Sequence, residues 1–285
     1  MKVLVLGAGG MAGHTVALRL LEKGYSITGF ARRELDFCDS IVGDATEIDM
    51  IENLCEKDFD AIINCIGALP NSINANIYNG IWVNSCLPHL LTELTMKKST
   101  RIIHLSTDCV FSGNDNGNYA ENDYCSADDY YGRSKTLGEL NDSKNLTFRT
   151  SIIGPDINEN GVGLFNWFMK QNGEINGYTK AIWTGVTTIS LADAIDAALE
   201  QNLTGLYHLV NNDKISKYEL LRLFNGLRAE QVGIIPFDDY ITDKSMINTR
   251  DDFHFVVPSY SEMVDGLRDW IKVHGGHYPN YNVKG

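Results

Sequence analysis

Three glycines, Gly7, Gly10 and Gly13, follow a short apolar run at residues 2–6 and open a stretch of helical periodicity at 12–23. This placement restricts the fold more than any other feature of the chain. A turn of this spacing lets the backbone pass sharply from a strand into a helix, approach a ligand closely, and seat the helix on the sheet. The helix N-terminus then offers backbone N–H groups and a partial positive charge, which suit a pyrophosphate. The pattern predicts a dinucleotide site whose phosphate end is shaped by Gly7, Gly10, Met11 and Gly13; a purely structural turn is the alternative.

Apolar, strand-like runs recur at 26–30, 61–66, 102–105 (ending in Ser106) and 146–150, the last leading into a loop at 152–155. Helical patterns at 48–56, 81–96 and 130–140 separate them. Strands alternating with helices imply right-handed βαβ units and a parallel sheet. After about residue 155 the pattern loosens into a short helix at 161–171, a stronger one at 190–201, a strand at 205–210, and helical stretches at 216–224 and 259–273. The expected fold is α/β: a Rossmann-type doubly wound parallel sheet. Residues 1–155 form the nucleotide-binding domain. Residues 156–285 form a smaller C-terminal substrate-binding lobe, interleaved with the last strands.

A length of 285 residues suits one large domain or a domain with an appended lobe, and 44% hydrophobic with 21% charged residues can bury a sizeable core. A net charge of −13 argues against a nucleic-acid partner, which needs clustered Lys and Arg. The six cysteines include no C-x-x-C pair, so a zinc knuckle is excluded, no metal site is expected, and a disulfide framework is disfavoured. Cys65 and Cys109 lie in apolar strand-like runs, where Cys acts as a small hydrophobe. The opening M-K-V-L-V-L-G is too short for a signal peptide, and no apolar run reaches the ~18 residues of a membrane span. No membrane partner and a reducing cytoplasm are therefore expected.

The second strand normally ends in an acidic residue when NAD is bound, to hold the ribose 2′-OH. This chain carries Arg32 and Arg33 there, two guanidinium groups that suit a 2′-phosphate. NADPH is the expected cofactor; Glu34, which follows, leaves NADH possible, and solvated surface arginines are the alternative. Asp44 and Ala45, in V-G-D-A-T, follow a short strand at the distance expected of an acid near the adenine, although a turn-forming Asp fits as well. Cys65, Ile66 and Gly67 end the fourth strand, where small residues admit a flat nicotinamide ring.

Tyr131 and Lys135 stand four residues apart in Y-Y-G-R-S-K, on one face of a helix. A free phenol, with a pKa near ~10, exchanges protons poorly at neutral pH. An ammonium held beside it favours the phenolate and lowers that pKa toward the working range. Tyr130, five residues from Lys135, falls off the favoured face.

The run H-L-S-T-D-C-V-F-S-G, then Y-A-E-N-D, then Y-Y-G-R-S-K-T-L-G-E resembles the extended short-chain dehydrogenase/reductases. More closely it resembles their dTDP-4-dehydrorhamnose reductase branch, with S-T-D-x-V-F followed by Y-G-x-[ST]-K-x-x-G-E, over residues 1 to about 155. The resemblance implies that Thr107 bonds the substrate carbonyl oxygen and Tyr131 is the general acid. Lys135 would bond the nicotinamide ribose, and Asn84, in W-V-N-S, would lie near the substrate. Asp108 is a further substrate-side candidate. Ile152 stands where the branch often has Trp, and G-Y-T-K-A-I-W-T-G-V-T-T (177–188) replaces its usual Q-x-G-x-P-T. Trp183 and Tyr178 either stack on a nucleotide base or form lobe core. Arg250 either contacts the diphosphate or lies at the surface.

The implied reaction is NADPH-dependent reduction of the 4-keto group of a nucleotide-linked deoxysugar, in deoxysugar or surface-polysaccharide biosynthesis. A homodimer through helices near 81–96 and 130–140 accords with the superfamily. One alternative is a sugar-nucleotide epimerase or 4,6-dehydratase with retained NAD, although dehydratases generally carry Asp-Glu after the catalytic Thr and Thr107 is followed by Asp108-Cys109. The other is a non-catalytic NADP-binding subunit, since the regulatory subunit of methionine adenosyltransferase resembles the same branch.

Overall fold

The structure, a computed structural model, describes residues 1–211 and 213–284. Its centre is a seven-stranded sheet of β1 (Lys2–Leu6), β2 (Ser26–Ala31), β3 (Asp39–Val42), β4 (Ala61–Asn64), β5 (Arg101–Thr107), β6 (Leu146–Thr150) and the edge strand Gly205–His208. The spatial order is β3-β2-β1-β4-β5-β6 and then Gly205–His208, with every neighbouring pair parallel. The expected doubly wound α/β sheet is thus the fold observed. Side-chain alternation in β1 shows the two layers: Val3 and Val5 pack among Val16, Leu20, Leu191 and Ile195, whereas Leu4 and Leu6 pack among Ile51, Leu54, Leu87 and Leu91. Helix α1 (Met11–Glu22) and helix Thr188–Glu200 therefore cover one face. Helices α2 (Ile48–Glu56) and α5 (Leu87–Leu94) cover the other.

The helix expected at 81–96 is broken. After α3 (Pro70–Ala75) come α4 (Ile77–Ile81), one π-helical turn at Trp82–Cys86, and then α5. Pro88 explains the break. It has no N–H to give to the carbonyl of Asn84 four residues back, and its ring would strike that carbonyl, so the backbone widens there. Cys109, expected in a strand, lies instead in the 3₁₀ turn Asp108–Val110 that ends β5.

The C-terminal residues add the three-stranded group Ile215–Ser216, Ala181–Trp183 and Thr242–Asp243, and the parallel pair Glu174–Tyr178 with Gly233–Phe237. Helices Lys217–Leu227 and Tyr260–Val273 each begin with a capping box, Ser216 with Glu219 and Ser259 with Glu262. Among the described residues no helix is long and apolar enough to cross a membrane.

Under the C-terminal ends of β5, β6 and the edge strand lies a buried polar network. Arg149, 2% exposed, donates to Glu139 at 2.8 and 2.6 Å, and Ser106 donates to the same carboxylate at 2.6 Å. Removing one partner of a buried ion pair strands the other charge, at a cost of about 3–5 kcal/mol. Glu139→Ala should therefore lose roughly that much unfolding free energy in denaturant titration. A loss below about 1 kcal/mol, the scale of an exposed pair, would contradict the buried-pair account.

Candidate functional site

The switch in strand order falls between β1 and β4, where doubly wound sheets open a crevice beyond the strand ends. A cleft of about 810 Å³ occupies this position, running from Arg32, Arg33, Asp44 and Ala45 to Cys65, Ile66 and Gly67, with Gly7, Gly10 and Met11 along its floor. Gly7 has φ +77°, and its N–H donates to Phe30 O at 2.9 Å, so the turn is pinned to β2. A Cβ at Gly13 would stand 2.2 Å from Gly7 O, so only glycine lets α1 sit this close to the turn. Gly10 caps α1 without any side-chain acceptor, and no acidic residue occupies the first turn. Its first-turn N–H groups are thus free for an anion. With exposed Arg32 and Arg33 at one end and small residues at the other, this donor set fits a phosphorylated nicotinamide dinucleotide.

Asp44 is chiefly a turn former. Its carboxylate accepts from Thr46 N at 2.9 Å and from the Thr46 hydroxyl at 2.8 Å, bonds that hold its pKa low with a lesser contribution from the Arg32 charge. It nonetheless lines the cleft beside Ala45, whose carbonyl accepts from the Trp82 indole at 2.8 Å.

Helix α6 (Tyr130–Leu137) is capped by Asp129, which accepts from Gly132 N at 2.7 Å. A Cβ on Gly132 would meet Cys109 O at 2.2 Å; glycine thus permits near contact between α6 and the turn ending β5. The half-buried Tyr131 phenol consequently lies beside Thr107, Asp108 and Cys109. Burial pushes its pKa up, the Cys109 and Asp108 charges add to this, and a hydrogen bond from Thr107 opposes it. The lowering expected from Lys135 is not found, because the ammonium is engaged elsewhere. Lys135 Nζ donates to Leu105 O at 2.6 Å and lies 3.3 Å from His104 Nε2. Tyr131 is thus a protonated phenol at neutral pH, a donor rather than a base. Thr107 Oγ1 donates to Asp108 Oδ1 at 3.1 Å and accepts from Cys109 N at 3.1 Å, which orients the hydroxyl.

Three of the substrate-side candidates stand elsewhere. Asn84 is fully buried, and its amide is spent on Ala68 N at 2.7 Å, Ala68 O at 3.0 Å and Ser134 Oγ at 3.0 Å. It ties the turn after β4 to α6 and has no free atom aimed at a substrate. Trp183, 6% exposed, packs against Tyr260 in the lobe core. Arg250 donates to Thr204 O and Leu206 O and pairs with Asp252. Those carbonyls lie at the start of the edge strand, where Gly205 pairs with Leu146. Thr107 pairs with Thr150, at the other end of the sheet. No diphosphate role for Arg250 fits that position.

Sequence reasoning passed over His104 and Ser134. His104 Nδ1 lies 3.1 Å from Asn64 Nδ2, and burial drives the His104 pKa well down, so it stays neutral beside Lys135. Ser134 donates to Tyr131 O at 2.9 Å and accepts from Asn84. Both lie within the motifs quoted above; nothing in a one-dimensional pattern marks their partners.

A protein-family model described as the RmlD substrate binding domain matches residues 1–240. The spore coat polysaccharide biosynthesis protein SpsK of Bacillus subtilis is 27% identical over 241 residues, 76% of this chain and 76% of that protein. A dTDP-4-dehydrorhamnose reductase of Aggregatibacter actinomycetemcomitans is 26% identical over 246 residues, 81% of each chain. Among solved structures, dTDP-4-dehydrorhamnose reductase of Bacillus anthracis in complex with NADP superposes with a TM-score of 0.79 at 20% identity, covering 95% of this chain and 99% of that one. At that identity the likeness concerns the fold.

Burial lowers the Lys135 pKa to about 8, with Glu139 and Cys65 opposing the shift. The ammonium is therefore present below about pH 8 and lost above it. Affinity for NADPH, read by fluorescence titration, should fall as pH rises through this value. An affinity that stays flat across the same range would contradict a role for the Lys135 charge in holding the dinucleotide.

Proposed function

Because the chain belongs to the family described as the RmlD substrate binding domain, we propose that it is an oxidoreductase that reduces the 4-keto group of a nucleotide-activated deoxysugar with NADPH. The observation that carries this reading is the placement of the Tyr131 phenol beside the Thr107 hydroxyl at the end of β5. The relatives named as dTDP-4-dehydrorhamnose reductase and as a spore coat polysaccharide biosynthesis protein support the substrate class and a role in surface-sugar synthesis.

When bound, the nicotinamide cofactor supplies the hydride that adds to the carbonyl carbon. With substrate bound, the Thr107 hydroxyl would turn its one proton from Asp108 to the carbonyl oxygen and hold that oxygen against Tyr131. As negative charge develops on that oxygen, Tyr131 delivers its phenolic proton, and the ketone becomes a secondary alcohol. Donors aimed in advance at the place where charge appears lower the barrier without reorganising during the reaction. Lys135, anchored on Leu105 O, would hold the nicotinamide ribose, and solvent returns a proton to the phenolate that remains. At the far end of the cleft Arg32 and Arg33 offer charge to a 2′-phosphate, while the α1 N-terminus receives the pyrophosphate.

The same reading includes a homodimer through α4, α5 and α6, supported by the exposed Ile77, Tyr78, Ile81 and Leu137. Light scattering should give twice the chain mass; a monomer would count against it.

Tyr131→Phe should cut turnover of a 4-keto sugar nucleotide by at least ~100-fold, the scale of a lost acid–base group, with NADPH affinity nearly intact. Full activity in that variant would overturn the assignment. Arg32→Ala combined with Arg33→Ala should weaken NADPH more than NADH; an equal effect on both would overturn the 2′-phosphate reading.

A further inference from the structure

The adenosine end of the cleft is closed by a segment from the C-terminal half of the chain. Between Gly154 and Gly163 the backbone passes over the glycine turn, and Asn158 is its point of contact. Asn158 Nδ2 donates to Gly9 O at 2.9 Å and to Asp156 Oδ1 at 2.6 Å. Both hydrogens of the amide are thereby used, which fixes its orientation and turns Oδ1 the other way. That oxygen accepts from Arg33 Nη2 at 2.9 Å.

The segment itself is held in place. Asp156 Oδ1 also accepts from Asn158 N at 2.9 Å, and Asp156 N donates to Tyr281 Oη at 2.9 Å. The Asp156 carboxylate, which lines the cleft, is thus turned inward onto its own loop, not presented bare to phosphate.

We propose that Asn158 is a positioning residue for cofactor selection, holding the Arg33 guanidinium over the adenosine end of the cleft to receive a 2′-phosphate. An exposed arginine has many rotamers, and ordering it on binding costs affinity. One fixed Nη2 leaves the rest of the planar fork free for phosphate oxygens. The Gly9 contact couples this arm to the turn that receives the pyrophosphate. This inference rests on the 2′-phosphate reading of Arg33.

A double-mutant cycle tests it through dissociation constants of the full-length protein for NADPH and NADH, read by fluorescence titration. Asn158→Ala should shift the NADPH-to-NADH affinity ratio toward NADH by about fivefold, less than the loss of a full hydrogen bond to a charged group. In the Arg33→Ala background the same substitution should shift the ratio less than about twofold, because its partner is already gone. Equal shifts in both backgrounds, or none in either, would overturn the proposal. If Arg33→Ala leaves the ratio unchanged, the 2′-phosphate reading fails and this inference falls with it. Asn158→Ser, which keeps a polar side chain on the segment, runs the same cycle should the alanine variant be unstable.

Discussion

Helix α6 can deliver Tyr131 to Thr107 only because it lies almost in contact with the turn that ends β5. Gly132 permits the approach, since any Cβ there would strike Cys109 O. Lys135 secures it from the other side by donating to Leu105 O, a strand carbonyl that the sheet leaves available to the helix. Asn84 adds a second anchor through Ser134, joining α6 to the turn after β4. Each anchor is a short polar contact shielded from water, where hydrogen bonds are strong and an unmet partner is costly.

The polar network beneath the strand ends gives this arrangement a rigid floor. Arg149 bridges Glu139 and His208 Nε2, the latter at 2.9 Å, and Glu121 receives His208 N, Thr249 N and the Thr249 hydroxyl. Burial, and next the Arg149 charge, lower the His208 pKa to about 4. The imidazole is therefore neutral; it accepts from Arg149 at Nε2 and donates from Nδ1 to Ile247 O at 2.8 Å. One buried guanidinium is satisfied by a carboxylate, an imidazole and a carbonyl, so the ends of β5, β6 and the edge strand cannot shift independently.

Much of this was legible in the chain because it follows from local rules. The glycine spacing, the strand periodicity and the Y-x-x-x-K offset depend only on backbone geometry, and α2 and β6 fall on the residues the pattern marks. Features set by distant partners were not legible. The π turn at Asn84 required giving Pro88 its full weight inside an apolar helical pattern. The upward shift at Tyr131 depends on burial and on Asp108 and Cys109, whereas sequence spacing offered only Lys135. Trp183 and Arg250 have side chains suited to a nucleotide diphosphate, yet one is core and the other braces the start of the edge strand. Asn158 gains meaning only when residues 125 positions apart are brought together.

The central claim is that this constellation turns over a sugar ketone and does not merely hold a cofactor. Following loss of reduced-nicotinamide absorbance with NADPH against a panel of nucleotide-linked 4-keto-6-deoxy sugars tests it most directly. The account predicts substrate-dependent oxidation of NADPH, one equivalent per ketone reduced. No oxidation with any member of the panel, or conversion of a sugar nucleotide by protein carrying tightly bound NAD with no cofactor added, would contradict it.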